Sequence, residues 1–400
     1  MRQQNNEEMS FDERSPITEV EQAQTTKDEV PFEQVATLEQ MTLVEPGAVL
    51  AAADKGVEIS KSQLSLSKRL FNWRTLVPLV IVLGLLAYTA QKLQINPAQT
   101  WAALSTANPL FFLAAFLAYY LSFPIRTLRW RLLLANVGYT DKSAIAQPRF
   151  SKLLEIVYIS WFANAIVPAK LGDLYRAYLL REEAGVSATR TFGTILAERL
   201  LDLSVLLLLF LASILVSLRE NLPAFLRTGL YITLAIVILG IGGLFFLRIF
   251  NTRVRGFVPM RFQNHYDQLQ EGTLGSFKRV PLLIVLTVAV WLCEAGRFFF
   301  VALSLNLIAG SLLHIGATAV FIALGEALLT IVPFTGGGVG LVEGGMLGML
   351  ALFTSARNLS AAAVLLDRII SLFSVLLIGL VVFLVASGRR VTGKEKRTDA

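Results

Sequence analysis

Glu198-Arg199-Leu200-Leu201-Asp202 opens a stretch, Leu203-Ser204-Val205-Leu206-Leu207-Leu208-Leu209-Phe210 and on to Leu218, that carries no charge at all. Ionisable side chains at the mouth of such a run are costly beside hydrocarbon, so they must meet each other or a wet hollow. Similar runs recur at Leu76–Ala90, Tyr231–Leu247 and Leu372–Ala386. About 20 apolar residues in a helix cross the ~30 Å hydrocarbon layer. The whole chain is 54% hydrophobic and 16% charged, against about 25% charged in soluble domains. The reading is an all-α, polytopic membrane protein.

The charge is divided. Residues 1–58 hold thirteen Asp/Glu against four Lys/Arg, and the rest is strongly basic. Residues 1–60 read as a disordered acidic cytoplasmic tail. Residues 61–74, with Lys61, Lys68, Arg69 and Arg74, read as a basic segment on the membrane surface. Residues 75–388 form the transmembrane domain, and 389–400 a basic cytoplasmic tail. The basic balance fits loops that face anionic lipid better than it fits nucleic acid. The acidic start does not resemble a cleavable signal peptide, so the run after Arg74 is expected to act as an uncleaved anchor.

The apolar segments fall at 75–91, 109–134, 153–167, 192–218, 229–249, 281–308, 315–333 and 360–386, with a short run to Phe353. Basic loops stay cytoplasmic. Basic residues cluster in 61–74, 126–152, 248–279 and the C-terminal tail, whereas 92–108 and 309–314 are nearly free of them. With 126–152 and 168–191 both inside, the third segment enters and leaves on one side. The same reasoning makes 315–355 start and end outside. The expectation is therefore six spanning helices plus two re-entrant hairpins, in a multi-pass protein of the plasma membrane with both termini cytoplasmic. Eight spans, with one basic loop misplaced, is the alternative.

The hairpins share a pattern. Ile166-Val167-Pro168 and Ile331-Val332-Pro333 each lead to glycine, then to an acid–arginine pair that opens a long apolar helix: Glu198-Arg199 in one, Asp367-Arg368 in the other. Coincidence among Leu-rich helices is one account; an inverted repeat, which places a site near the midplane, is the other.

Candidate site residues follow from charge inside apolar segments. Arg126 and Arg129 share a helix face, with Arg131 more simply an interfacial anchor. Asp173 and Arg176 are three apart, after Asn164 and Gly172, and could pair if helical. Glu198 and Asp202 share a face, while Arg199 points elsewhere and needs a partner on another element. Glu294 and Arg297 lie mid-segment, as a buried pair or as substrate contacts. Gly336 and Gly337 sit in a run that permits close backbone approach, whether to a ligand or to another helix. Glu343 should pair with Arg199 or Arg368. No Ser/His/Asp order or nucleotide fingerprint appears. Cys293 is the single cysteine, and His265 and His314 are far apart, so neither a catalytic site nor a cofactor or metal is expected.

Arg126-x-x-Arg129-Trp130, Asn164-x-x-x-Pro168-x-x-x-Gly172-Asp173-x-x-Arg176, Glu198-Arg199-x-x-Asp202 and Pro333-x-x-Gly336-Gly337-x-Val339-Gly340-x-x-Glu343 together resemble the transmembrane domain of lysylphosphatidylglycerol synthases. They equally resemble the stand-alone flippase-like proteins of the UPF0104 group. The resemblance covers roughly 70–388 and implies movement of a phospholipid or lipid-linked headgroup between leaflets. The synthases add a soluble aminoacyltransferase domain. With this chain ending at Ala400, the resemblance implies the translocating half. Some relatives carry glycosyltransferase domains, so a lipid-linked saccharide is an equal substrate. With the arginines read above, the lipid phosphate is expected near Arg126, Arg129 and Arg176, with the two hairpins as its gates. A membrane enzyme, or a scaffold for a soluble synthase or glycosyltransferase, is the rival reading.

Overall fold

In a computed structural model the residues described are 96–140, 147–166, 171–217, 258–330 and 336–398, with scattered positions at 91 and in 228–256. The expected tail at 1–60, surface segment at 61–74 and span at 75–91 lie outside them, as does nearly all of the span at 229–249. The described elements are helices: α1 (Pro97–Ser105), α2 (Pro109–Asn136), α3 (Phe150–Ile166), α4 (Gly172–Ala184), α5 (Ala188–Ser217), α6 (Met260–Gly275), α7 (Val280–Ser304), α8 (Leu312–Leu329), α9 (Leu341–Leu350), α10 (Arg357–Arg368) and α11 (Ser374–Thr398). A 3₁₀ turn at Gly336–Gly338 precedes α9, and a π-helical turn at Ile369–Phe373 joins α10 to α11.

Local chemistry sets the starts. Asn96 and Asn108 each precede a proline and accept bonds from the first free backbone N–H groups of α1 and α2. Ser311 caps α8 through the His314 N–H. The two faces of α2 then divide by solvent. Leu110, Leu113, Leu117, Leu121 and Leu128 are exposed, while Tyr119, Phe123, Arg126, Arg129 and Trp130 are buried. Apolar groups outside and charge inside invert the soluble pattern, as a bilayer demands.

Among the described residues, five helices are long and apolar enough to cross a membrane: Pro109–Asn136, Ala188–Val216, Val280–Ser304, Leu312–Leu329 and Arg357–Ala386. Four coincide with expected spans. Leu312–Leu329 had been expected as a hairpin arm; its length and composition suffice for a span by themselves. It still folds back on α9, since Gly325 faces Met349 and Gly345 faces Leu329. The α3–α4 hairpin closes likewise: Ser160 Oγ donates to the Gly172 carbonyl (2.9 Å), and Lys152 pairs with Glu183 at the far end (3.5 Å).

The halves α1–α5 and α6–α11 pack by the same rules, each upon the other. Helices α2 and α7 cross antiparallel at the centre, with Asn108 near Ser304, Arg126 near Glu294 and Arg129 near Thr287. Helix α3 leans on α11, where Phe162 meets Phe383, and α8 leans on α5, where Phe321 stacks on Phe210 (5.1 Å). Helix α1 lies on α10 through Asn96 and Asn358, and α6 lies on α5. The contacts of the two halves thus follow one pattern, which takes in α1 with α6 and α2 with α7 as well as the hairpins.

The α5–α6 crossing is backbone on backbone. A Cβ on Gly272 would lie 2.1 Å from the Arg190 carbonyl oxygen, and one on Gly193 would lie 2.4 Å from that of Leu269. We expect Gly272→Ala to push the helices apart at a cost of about 1–3 kcal/mol, read as a lower melting temperature in detergent. Gly348→Ala, which meets nothing within 4 Å, serves as the neutral comparison.

Candidate functional site

The inward charges form one connected set. On α2, Arg129 is fully buried and donates to Glu198 (2.9 Å) and Asp202 (2.5 and 3.0 Å) of α5 and to Thr287 Oγ1 of α7 (2.9 Å). Glu198 and Asp202, one turn apart, grip a single guanidinium. Glu198 also accepts from Arg176 of α4 (3.0 Å), whose guanidinium lies 3.8 Å from the Trp130 ring centre. Arg199 finds its partner on another element: it meets Asp173 of α4 in a two-point fork, 2.8 and 2.7 Å. Asp173 also accepts from Asn164 (3.1 Å). The expected Asp173–Arg176 pair does not form, because both residues turn to α5 instead.

The second half repeats this plan. Arg297 of α7 takes Asp367 of α10, as Arg129 takes Glu198. Arg368 takes Glu343 near the start of α9 (2.6 Å), as Arg199 takes Asp173 near the start of α4. The acid and arginine are 25 residues apart in one latch and 26 in the other. Arg368 also donates to the Gly337 carbonyl (2.7 Å), which ties the glycine turn to α10. Gly337 has φ +63°, a conformation glycine adopts without strain. Gly336 shares that turn. The halves meet where Arg126 donates to Glu294 (2.7 Å). Arg297 also reaches Glu326 of α8 (2.6 Å) and, at 3.6 Å, Glu294.

Between the halves lies a cavity of about 400 Å³. Of the candidate residues, Arg126, Asn164, Asp173, Arg199, Asp202, Glu294, Arg297, Gly337 and Arg368 line it. Arg129, Arg176, Glu198, Gly336, Glu343 and Asp367 are not in its wall; most of them brace residues that are. The wall also holds Tyr119, Trp161, Trp291, Glu326 and Ser371, which sequence reasoning did not place there. Glu326 had a signal of its own, a carboxylate inside an apolar segment. The tryptophans had none, since indoles are common in any core. Arg126 lies 4.5 Å from the Trp161 ring centre and 6.0 Å from that of Trp291. Arg126 Nε and Trp291 Nε1 are buried donors without a hydrogen-bond partner, and Asn164 Oδ1 is an acceptor without one. Free donors and a free acceptor in one hollow suit a ligand that offers both an anionic oxygen and a hydroxyl or ammonium group. Among the described residues, no group of acids, histidines and cysteine is arranged to hold a metal ion.

Comparison with known proteins agrees with this architecture. The profile of the lysylphosphatidylglycerol synthase TM region matches residues 75–379. The UPF0104 membrane protein MJ1078 of Methanocaldococcus jannaschii is 33% identical over 229 residues, which is 56% of this chain and 93% of that protein. A UPF0104 membrane protein of Methanothermobacter thermautotrophicus is 23% identical over 331 residues, 75% of this chain and 93% of the relative. Glycosyltransferase AglD of Haloferax volcanii is 26% identical over 325 residues, 70% of this chain but 50% of that protein. The chain belongs to the lysylphosphatidylglycerol synthase transmembrane-region family and is a multi-pass α-helical membrane protein.

Proposed function

We propose that this chain moves a phospholipid or lipid-linked headgroup between the two leaflets of the plasma membrane, with the headgroup held in the cavity between its halves. The observation that carries the reading is a charged hollow of about 400 Å³ inside helices whose outer faces are leucine. Hydrocarbon chains need no protein to stay in the bilayer; the polar headgroup does, and an interior lined by arginine and carboxylate substitutes for its water. Its phosphate docks on Arg126 and Trp291, whose free donors face the same hollow. Arg129 and Arg176, neither of them in the cavity wall, hold the carboxylates that position α4 and α5. The latches Arg199–Asp173 and Arg368–Glu343 secure the two hairpins and act as gates. The Arg199 side chain is 32% exposed and that of Arg368 4%, so this conformation is open on the Arg199 side. Positive-inside loops put that side, and both termini, in the cytoplasm.

The likeness to AglD favours a second reading. In it the chain is a membrane subunit that presents a lipid-linked saccharide to a soluble glycosyltransferase or synthase, docked through residues 1–60.

Reconstitution in liposomes tests both. Purified protein should equilibrate a labelled phosphodiester lipid between leaflets faster than empty vesicles do, and deletion of residues 1–60 should leave that rate intact. Failure to move phosphatidylglycerol, phosphatidylethanolamine or a polyprenyl-phosphate sugar would sink the transport reading. Loss of partner binding on deletion of 1–60 would support the subunit reading.

A further inference from the structure

The two halves match in design but not in charge. Among the described residues, the first network holds three guanidiniums (Arg129, Arg176, Arg199) and three carboxylates (Asp173, Glu198, Asp202). The second holds three guanidiniums (Arg126, Arg297, Arg368) against four carboxylates (Glu294, Glu326, Glu343, Asp367). A buried ion without a counter-charge costs many kcal/mol, and such a group takes up a proton instead. The excess converges on Arg297, which is shared by Glu294, Glu326 and Asp367. Asp367 is 0% exposed, and its other oxygen meets Ser371 Oγ at 3.4 Å.

Every element around Asp367 bears on this count. Helix α7 brings Arg297 and Glu294; α8 brings Glu326; α9 brings Glu343, already held by Arg368 and by the Gly340 N–H. Helix α2 brings Arg126 and Tyr119, whose hydroxyl is committed to the Ser371 carbonyl (3.3 Å). Helix α1 carries no ionisable side chain. Among the described residues, the cations paired with these four carboxylates are Arg126, Arg297 and Arg368, one fewer than the carboxylates.

A second observation points to a ligand in the same hollow. Arg126 Nε and Trp291 Nε1, on residues more than nine-tenths buried, are free donors in the cavity wall. An anion that docks there draws on the guanidinium that neutralises Glu294. Glu294 must then share Arg297 with Glu326 and Asp367, and the deficit grows from one charge to two.

We propose that the carboxylates around Arg297, chiefly Asp367 and Glu326, bind one exchangeable proton for each anionic headgroup carried, so that the chain is a proton–lipid symporter. The inference rests on the transport reading above. The proton enters with the anion, leaves with it on the far side, and no bond is made or broken beyond the O–H.

The test uses full-length protein in liposomes with a labelled phosphatidylglycerol, the membrane potential clamped and a pH gradient imposed. One proton per lipid predicts accumulation in the leaflet facing the alkaline side, about tenfold per pH unit. Asp367→Asn and Glu326→Gln should abolish that accumulation, while Asp267→Asn, on the exposed Arg255–Asp267 pair, should keep it. A separate readout needs no transport: infrared spectra of the purified protein at neutral pH should show a protonated-carboxyl C=O band that Asp367→Asn or Glu326→Gln removes. Lipid movement indifferent to the gradient would overturn the coupling and leave the transport reading standing. Absence of the carboxyl band would overturn the bound proton. No lipid movement under any gradient would fail the transport reading itself.

Discussion

Arg297→Ala should be the most damaging single substitution in the described structure. The guanidinium is 2% exposed and sits between Glu326, Asp367 and Glu294. Truncation removes the one cation that all three share and leaves carboxylates facing each other in a dry interior. Breaking a buried pair this way costs about 3–5 kcal/mol, a large part of the 5–15 kcal/mol that holds a typical fold together. The expected result is low yield in detergent and a melting temperature well below that of the parent. The comparison is Arg255→Ala, on the exposed Arg255–Asp267 pair, worth about 1 kcal/mol or less. Adding Glu326→Gln and Asp367→Asn to Arg297→Met should recover much of the loss, because it removes the stranded charges with their partner. If Arg297→Ala melts like the parent, the network is not what ties α7, α8 and α10 together.

The second large effect is on transport. Arg126 bonds to Glu294 across the centre of the molecule (2.7 Å), and Arg297 stands 3.6 Å from the same carboxylate. The paired change Arg126→Gln with Glu294→Gln replaces an ion pair with two amides that can hydrogen-bond, so the fold should persist. The cavity loses a guanidinium with a free donor nitrogen in its wall. A hydrogen bond to a charged group is worth about 1.5–3 kcal/mol, so lipid movement in liposomes should fall about 10- to 100-fold with little change in melting temperature. A rate equal to that of the parent would remove Arg126 from the binding role.

The sequence made one rule legible: charge in an apolar segment marks the interior. That rule selected twelve of the residues that build the two networks, from Arg126 to Arg368, and it required an off-element partner for Arg199. It also narrowed the partner of Glu343 to two arginines, one of which, Arg368, holds it. It could not choose between them, because the choice depends on how helices cross. Spacing rules fail here for the same reason. Asp173 and Arg176 are three apart on α4 yet bond to Arg199 and Glu198 on α5. In a dry interior the better geometry wins over the nearer partner. Trp161 and Trp291 were invisible as wall residues, since nothing in an indole's position along a helix says whether it faces a hollow. The backbone contact at Gly193 and Gly272 and the π-helical turn at Ile369–Phe373 left no pattern at all, because both arise from tertiary packing.

The exchange of supports between halves has a consequence for biogenesis. Helix α3 leans on α11, which begins more than 200 residues later in the chain. At ~5–20 residues per second, synthesis takes roughly 10–40 s to deliver that support. Asp173 meets Arg199 of α5 only 26 residues on, but the face of α3 at Phe162 waits through the whole interval for Phe383. Whatever covers that face until translation ends, lipid or insertion machinery, must give way to α11 for the two halves to close.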